Sequence, residues 1–269
     1  YEFSLGLNGL GLCATQYASE WMEAEVFKDG FQYNIKFKKG KPSGKLKKEE
    51  FSGRKTGTRI AWKPDLEVFT DIDIPLEYFQ DILRRQAIVN NGLKFILRNQ
   101  IKEGTTPSCF ETYEYVYENG ITDYLKENVE EQAFTGVQFW NTETSGRDRA
   151  DQEDYKVVIN AAVCFSNKVQ MKEYYHNSSW LEHGGAPDKA VRSAFVSQID
   201  AYLKQNNKYN KSDKKISFQD IEDCLDIVIS SFSTKTSYEN QTKKAITNKF
   251  IQEAMTDFFK QSLEVYFIE

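Results

Sequence analysis

Hydrophobic and polar positions alternate with a period of two in several stretches of the first half of the chain. Met22, Ala24 and Val26 alternate with Glu23 and Glu25; Phe31, Tyr33, Ile35 and Phe37 share one face of a second stretch; Thr58, Ile60 and Trp62 share one face of a third. This spacing predicts strands of a sheet with one face to bury. Lys28-Asp29-Gly30, between the first two stretches, is a hairpin signal. Ahead of them, Leu12 to Ala18 predicts a short helix. Behind them, Asp73-Ile74-Pro75 has the chemistry of a helix start, with a capping carboxylate and a proline for the first turn, and Leu76, Phe79, Leu83 and Ala87 then share a helical face. Val89-Asn90-Asn91-Gly92 closes that helix, and Leu93, Phe95 and Leu97 begin another strand.

The second half repeats the mixture with different elements. A turn at Tyr117 to Gly120 leads into a helix over Thr122 to Lys126, and Tyr155, Val157, Ile159, Ala161 and Val163 alternate as a strand. A long helix is predicted from Pro187 to about Leu203, with Val191, Ala194, Phe195, Gln198, Ile199 and Tyr202 at helical spacing. Ser217 and Asp220 resemble a capping box, although Glu or Gln is the usual partner. Leu225 to Phe232 is a strand, and Ala245 to Leu263 a final helix with Ile246, Phe250, Ala254, Phe258 and Gln261 along one side. Two α+β units in series are expected, joined near Tyr117 to Gly120, without an internal repeat.

Composition bounds this picture. At 269 residues, 40% hydrophobic and 28% charged, the chain has the make-up of a globular protein of about two domains. No apolar run approaches the roughly 20 residues of a membrane helix, so no membrane partner is expected. The 14% aromatic residues fall mostly at strand or helix spacing and belong to cores. A net charge of -5 argues against a whole-surface binder of nucleic acid. Lys36, Lys38, Lys39, Lys41, Lys45, Lys47 and Lys48, interrupted by Gly40, Pro42 and Gly44, read as a loop joining two strands. Such runs ordinarily only solvate a loop; contact with DNA phosphates is the alternative. Cys13, Cys109, Cys164 and Cys224 lack metal-ligand spacing and suit reduced thiols in a cytoplasm. Tyr1-Glu2-Phe3-Ser4 has neither an initiating Met nor a secretion signal, and the chain is expected to be a piece of something longer.

Two motifs carry candidate chemistry. In Leu5-Gly6-Leu7-Asn8-Gly9-Leu10-Gly11, glycines allow close approach to a ligand, and the helix that follows aims unpaired N–H groups at an anion. Near the other end, Gln241-Thr242-Lys243 offers a cation. By itself a lysine just before a helix is ordinarily a solvated surface group. His176 and His183 with Glu182 lack the His-Glu-x-x-His spacing of a helical metal site, so a structural or surface role is expected and no metal is assigned.

The order of these pieces resembles the ATPase subunit of bacterial type II DNA topoisomerases, the B subunit of gyrase and its topoisomerase IV counterpart. The matching text runs from Tyr1 to Gly11, through Lys55-Thr56-Gly57-Thr58 with Trp62-Lys63-Pro64-Asp65, Leu83 to Arg98 and Tyr117-Glu118-Asn119-Gly120. It continues in Asn177 to Ala194, which contains Glu182-His183-Gly184-Gly185, and ends in Tyr238 to Lys244. The resemblance implies an α+β chain in which residues 1–118 are the C-terminal part of an ATP-binding sandwich of the gyrase and heat-shock protein 90 type, and residues 119–269 a transducer domain with a ribosomal S5-like fold. It implies that Leu7, Asn8, Gly9, Leu10 and Gly11 bind the ATP triphosphate through backbone N–H groups, that Tyr1 touches the nucleoside, and that Gly57 and Thr58 lie near the adenine. Asn8 stands where the family usually has His, a change that a main-chain contact tolerates.

In the family a lysine matching Lys243 reaches from the transducer to the γ-phosphate, with a glutamine matching Gln241 beside it. The family's glutamate base, an asparagine that helps hold Mg2+ and an aspartate that reads adenine lie upstream of the glycine loop. The chain alone is therefore expected neither to hydrolyse ATP nor to bind it tightly. The resemblance also implies, for the parent, a homodimer in the cytoplasm whose partners are a DNA duplex and the topoisomerase A subunit. A MutL-like mismatch-repair ATPase and a non-catalytic S5-like interaction module share parts of this organisation and remain open alternatives.

Overall fold

Gly9, at φ 64°, lies in the left-handed region that glycine adopts without penalty, and it caps helix α1, Leu10–Tyr17. The helix starts earlier than the apolar pattern implies because Leu10 and Gly11 complete its first turn. The computed structural model describes residues 3, 6, 9–101, 109–129 and 132–268. The chain divides into two compact units, residues 6–76 and residues 77 onward.

In the first unit, β1 (Ser19–Lys28) and β2 (Phe31–Lys38) pair antiparallel through the two-residue turn Asp29-Gly30. Both turn residues have positive φ, 53° and 76°, so the backbone twist of the turn matches that of the strands. A second such turn, Lys39-Gly40, folds β3 (Lys41–Pro42) and then β4 (Lys47–Glu50) back onto β2. The lysine-rich stretch is thus mostly strand rather than loop, a correction that follows from the positive φ at Lys39 and Gly40. Strand β5 (Gly57–Pro64) pairs with the other side of β1. The register sets Met22, Ala24 and Val26 opposite Phe37, Ile35 and Tyr33, and also opposite Trp62, Ile60 and Thr58, on the one apolar face that the alternation predicts.

The second unit is built around a sheet buried on both faces. Helix α2 (Leu76–Val89) begins after Pro75, so Asp73 stands outside the helix it was expected to cap, and its buried residues are the C-terminal Ala87, Ile88 and Val89. After it come the hairpin β6 (Phe95–Ile101) and β7 (Cys109–Tyr115), helix α3 (Ile121–Val129), and strands β8 (Gln138–Gly146), β9 (Tyr155–Phe165), β10 (Lys172–His176), β11 (Ser179–Trp180) and β12 (Gly184–Gly185). Helix α4 (Ala186–Gln205), helix α5 (Phe218–Glu222), β13 (Leu225–Ser233), β14 (Ala245–Ile246) and helix α6 (Lys249–Tyr266) complete the unit. Ser217 and Asp220 form the expected capping box at α5.

The main sheet has the order β11-β10-β13-β9-β8, antiparallel except for the β10–β13 pair. Val157, Ile159, Ala161, Val163, Ile227 and Ile229 pack with Val191, Ala194 and Phe195 of α4 and Met255 and Phe259 of α6. Ala162, Cys164 and Val228 belong to a second cluster with Leu125 and Val129 of α3 and Ile88 and Val89 of α2. Both faces of β9 and β13 are covered, so successive residues such as Ala161 and Ala162, and Ile227 and Val228, are all fully buried. The final helix starts at Lys249 rather than Ala245: Ala245 and Ile246 are taken into β14, which pairs parallel with β12. Its fully buried stripe is accordingly Ile251, Met255, Phe259 and Leu263, one residue on from the expected side.

Candidate functional site

Leu5, Leu7 and Asn8 of the glycine loop, and Tyr1 ahead of it, lie outside the described residues. Gly9, Leu10 and Gly11 form the cap and first turn of α1; all are exposed, and glycine at the cap brings no side chain to the first N–H groups. A Cβ added at Gly11 would meet nothing within 4 Å. The chain's own packing therefore does not require glycine there, and room is left at a helix end that carries partial positive charge. Gly57, at φ 140°, opens β5, and Gly57 and Thr58 pair with Phe27 and Val26. They stand at the far end of β1 from Ser19, where α1 enters the sheet.

In the second unit, Gln241 and Lys243 share one tight loop. Its base is closed by a bridge between Tyr238 and Ile246 and by hydrogen bonds from Glu239 N to Ala245 O, 3.0 Å, and from Thr247 N to Ser237 O, 2.9 Å. Asn248 anchors the exit. Its Oδ1 accepts from Ser237 N at 2.7 Å, and its amide donates to Asp148 at 3.0 Å and to the buried Tyr155 hydroxyl at 3.2 Å. Gln241 is exposed and Lys243 half-buried, with its Nζ 5.7 Å from the Tyr238 ring centroid. Lys243 has φ 58°, which is uncommon for a residue with a side chain and is held by the closed loop around it.

Sequence reasoning missed Asn240, Glu182 and Lys244 as shapers of this loop. Asn240 Oδ1 accepts from Thr242 N at 3.0 Å and from the Thr242 hydroxyl. The signal was legible, since Asn two residues before Thr is an Asx-turn pattern. Lys244 forms an ion pair with Glu182, a contact that depends on folding.

His176 is buried, and both ring nitrogens hydrogen-bond to the Ser231, Ser233 and Thr236 hydroxyls; His183 is exposed. Among the described residues no group of His, Cys, Asp or Glu side chains is placed to hold a metal ion. No helix among them is long and apolar enough to cross a membrane.

Comparison with known proteins shows similarity in sequence and in fold. The gyrase B protein of Thermotoga maritima is 26% identical over 271 residues, covering 99% of this chain and 41% of the relative. The DNA topoisomerase 4 B protein of Streptococcus pneumoniae is 25% identical over 274 residues, covering 100% of this chain and 40% of the relative. The chain thus spans about two fifths of the length of these relatives. Among solved structures, the topoisomerase IV ATP-binding domain of Francisella tularensis, in complex with a small-molecule inhibitor, superposes with TM-score 0.73 at 24% identity, over 98% of this chain and 68% of that one. The 43K ATPase domain of Thermus thermophilus gyrase B, in complex with an aminocoumarin, gives TM-score 0.67 at 20% identity, over 96% and 66%. These structures share the α+β fold described above. The family model for DNA gyrase B matches residues 120–269, more than half of the sequence and the whole stretch from Gly120 through the Lys243 loop to the last helix, and the chain belongs to the DNA gyrase B family.

Proposed function

We propose that the chain is the lid-to-transducer segment of the B subunit of an ATP-hydrolysing type II DNA topoisomerase, which couples ATP binding and hydrolysis to passage of one DNA duplex through another. Residues 1–118 are the part belonging to the ATP-binding domain and residues 119–269 the transducer. The family match from Gly120 supports that junction. The complete protein works as a homodimer in the cytoplasm, with a DNA duplex and the topoisomerase A subunit as partners.

The observation that carries this reading is the Lys243 loop, a cation at a left-handed position on a closed turn within the family-matched region. Hydrolysis accumulates negative charge on the γ-phosphate oxygens, and an ammonium held at a fixed place stabilises that charge more than it stabilises the bound ground state. Gln241, on the same turn, is its companion. Leu7, Asn8, Gly9, Leu10 and Gly11 hold the triphosphate by main-chain N–H groups, with Tyr1 on the nucleoside and Gly57 and Thr58 near the adenine. Mg2+ would neutralise phosphate charge when bound with ATP. The glutamate base and the metal-holding asparagine are expected upstream of the glycine loop, so these 269 residues alone should show no appreciable turnover and no tight ATP binding.

The test is ATP turnover by the complete protein, reconstituted with its A subunit, for wild type and Lys243→Ala with and without DNA. DNA-stimulated turnover that collapses in the variant, with nucleotide binding retained, is the expected result. Turnover indifferent to both DNA and the substitution would remove the assignment of Lys243 and of the topoisomerase reaction.

A further inference from the structure

The loop carries two adjacent lysines, Lys243 and Lys244. Lys244 is held by both its side chain and its main chain. Its ammonium pairs with Glu182, and its carbonyl accepts from His183 N at 2.9 Å. The residues that follow it, Ala245 and Ile246, run in register with Gly184 and Gly185. Gly185 makes that approach possible: at φ 83°, a Cβ there would lie 2.3 Å from Ile246 O. The turn that begins α4 therefore grips the chain immediately after Lys243.

On the other side, Asn240 fixes the approach. Its side-chain oxygen gathers both the N–H and the hydroxyl of Thr242, and its carbonyl accepts from Lys243 N at 3.2 Å. This Asx turn delivers Lys243 at φ 58°, a conformation that is strained for a residue with a Cβ. A strained residue clamped from both sides is pre-organised, and pre-organisation matters where charge must be met at a fixed point.

We propose that Asn240 and the Glu182–Lys244 pair are positioning residues for Lys243. Asn240 shapes the turn that presents it, and Glu182 holds its neighbour Lys244 and with it the exit of the loop. This rests on the reading of Lys243 as the γ-phosphate contact. The ion pair is too exposed to matter much for stability, with side chains 43% and 39% accessible, so its role is one of placement.

The experiment is steady-state ATP hydrolysis by the complete protein with its A subunit and DNA, resolved into kcat and KM, with thermal melting of each variant. Asn240→Leu should lower kcat by about ten-fold or more with KM changed by less than about two-fold, since misplacing a group by about 1 Å is that costly. Asn240→Asp keeps the acceptor oxygen and should recover kcat to within about two-fold of wild type by the same logic. Glu182→Lys should lower kcat, and adding Lys244→Glu should restore it. Wild-type kcat in Asn240→Leu, Asp behaving as badly as Leu, or no rescue by the charge swap would each overturn the proposal. Lys243→Ala, run alongside, separates the two levels. If it leaves turnover intact, the underlying reading fails; if it abolishes turnover while the Asn240 and Glu182 variants keep kcat, only the positioning role fails.

Discussion

His176 shows how much a single side chain can owe to its surroundings. Its Nδ1 lies 2.8 Å from the Ser231 hydroxyl, and its Nε2 lies 2.9 Å from the Ser233 hydroxyl and 3.2 Å from that of Thr236. The ring is neutral and fully buried, and burial holds its pKa down, from 6.5 to about 3. An unfolded His takes a proton near pH 6.5 that the folded one refuses, so this group's contribution is complete above that pH and is lost as pH falls towards 3. The expected loss is on the order of 2 kcal/mol by pH 5. Urea denaturation of wild type and His176→Gln should show their stability difference shrinking by that amount between pH 7 and pH 5; a difference that stays flat would mean the imidazole is not held neutral. From the sequence, His176 could only be set aside as structural or surface. Its partners, Ser231, Ser233 and Thr236, lie more than fifty residues away. Lys243 and Gln241, in contrast, stood out by motif, while Glu182 acquires meaning only when folding brings it to Lys244.

Elements were legible where local rules decide them and shifted where a distant segment intervenes. The Asp29-Gly30 hairpin and the α5 capping box are local, and both form as expected. Ile246 has helical neighbours in sequence, yet the Gly184-Gly185 turn captures it into a ladder, and an apolar face counted from Ile246 is consequently displaced. The true stripe of α6 meets α4, with the rings of Phe195 and Phe259 5.9 Å apart. Phe259 is fully buried, so Phe259→Ala should cost about 3–5 kcal/mol, measurable as a lower denaturation midpoint. At the edge of the first sheet, Lys38 and Lys41 are set directly opposite each other by the Lys39-Gly40 turn. Like charges so placed repel, and Lys41→Glu should raise stability by roughly 0.2–1 kcal/mol at low salt, with the gain fading as salt is added. A gain that persists at high salt would point to packing instead.

On the scale of the molecule, the two units differ in how much apolar surface each buries. Among the described residues of 6–76, Met22 and Phe27 are the buried apolar side chains, while Leu10, Leu12, Trp62 and Leu66 are between 48% and 63% accessible. The second unit has an apolar cluster on each face of its main sheet. It also draws in α2, through Gln86 Nε2 donating to Ser178 O at 3.0 Å and Arg85 lying 3.7 Å from the Trp180 ring centroid, contacts across a sequence separation that no local pattern encodes. Alternation along a strand announces that a face is apolar; it does not say how well that face is covered, which is why the unequal burial could not be read beforehand. Local opening free energy follows buried apolar contact, so backbone amides of β1, β2 and β5 should exchange with solvent well before those of β9 and β13. Trypsin acting on the whole chain should cut first at the lysines and arginine from Lys45 to Lys55, a run that ends in the strand-free residues 51–55, and, because no Lys or Arg lies between Lys63 and Arg84, leave a resistant product beginning at Thr56 or Ile60. Protection of β2 and β5 equal to that of β9 and β13, with no such product, would mean that buried apolar area does not set the order of opening in this chain.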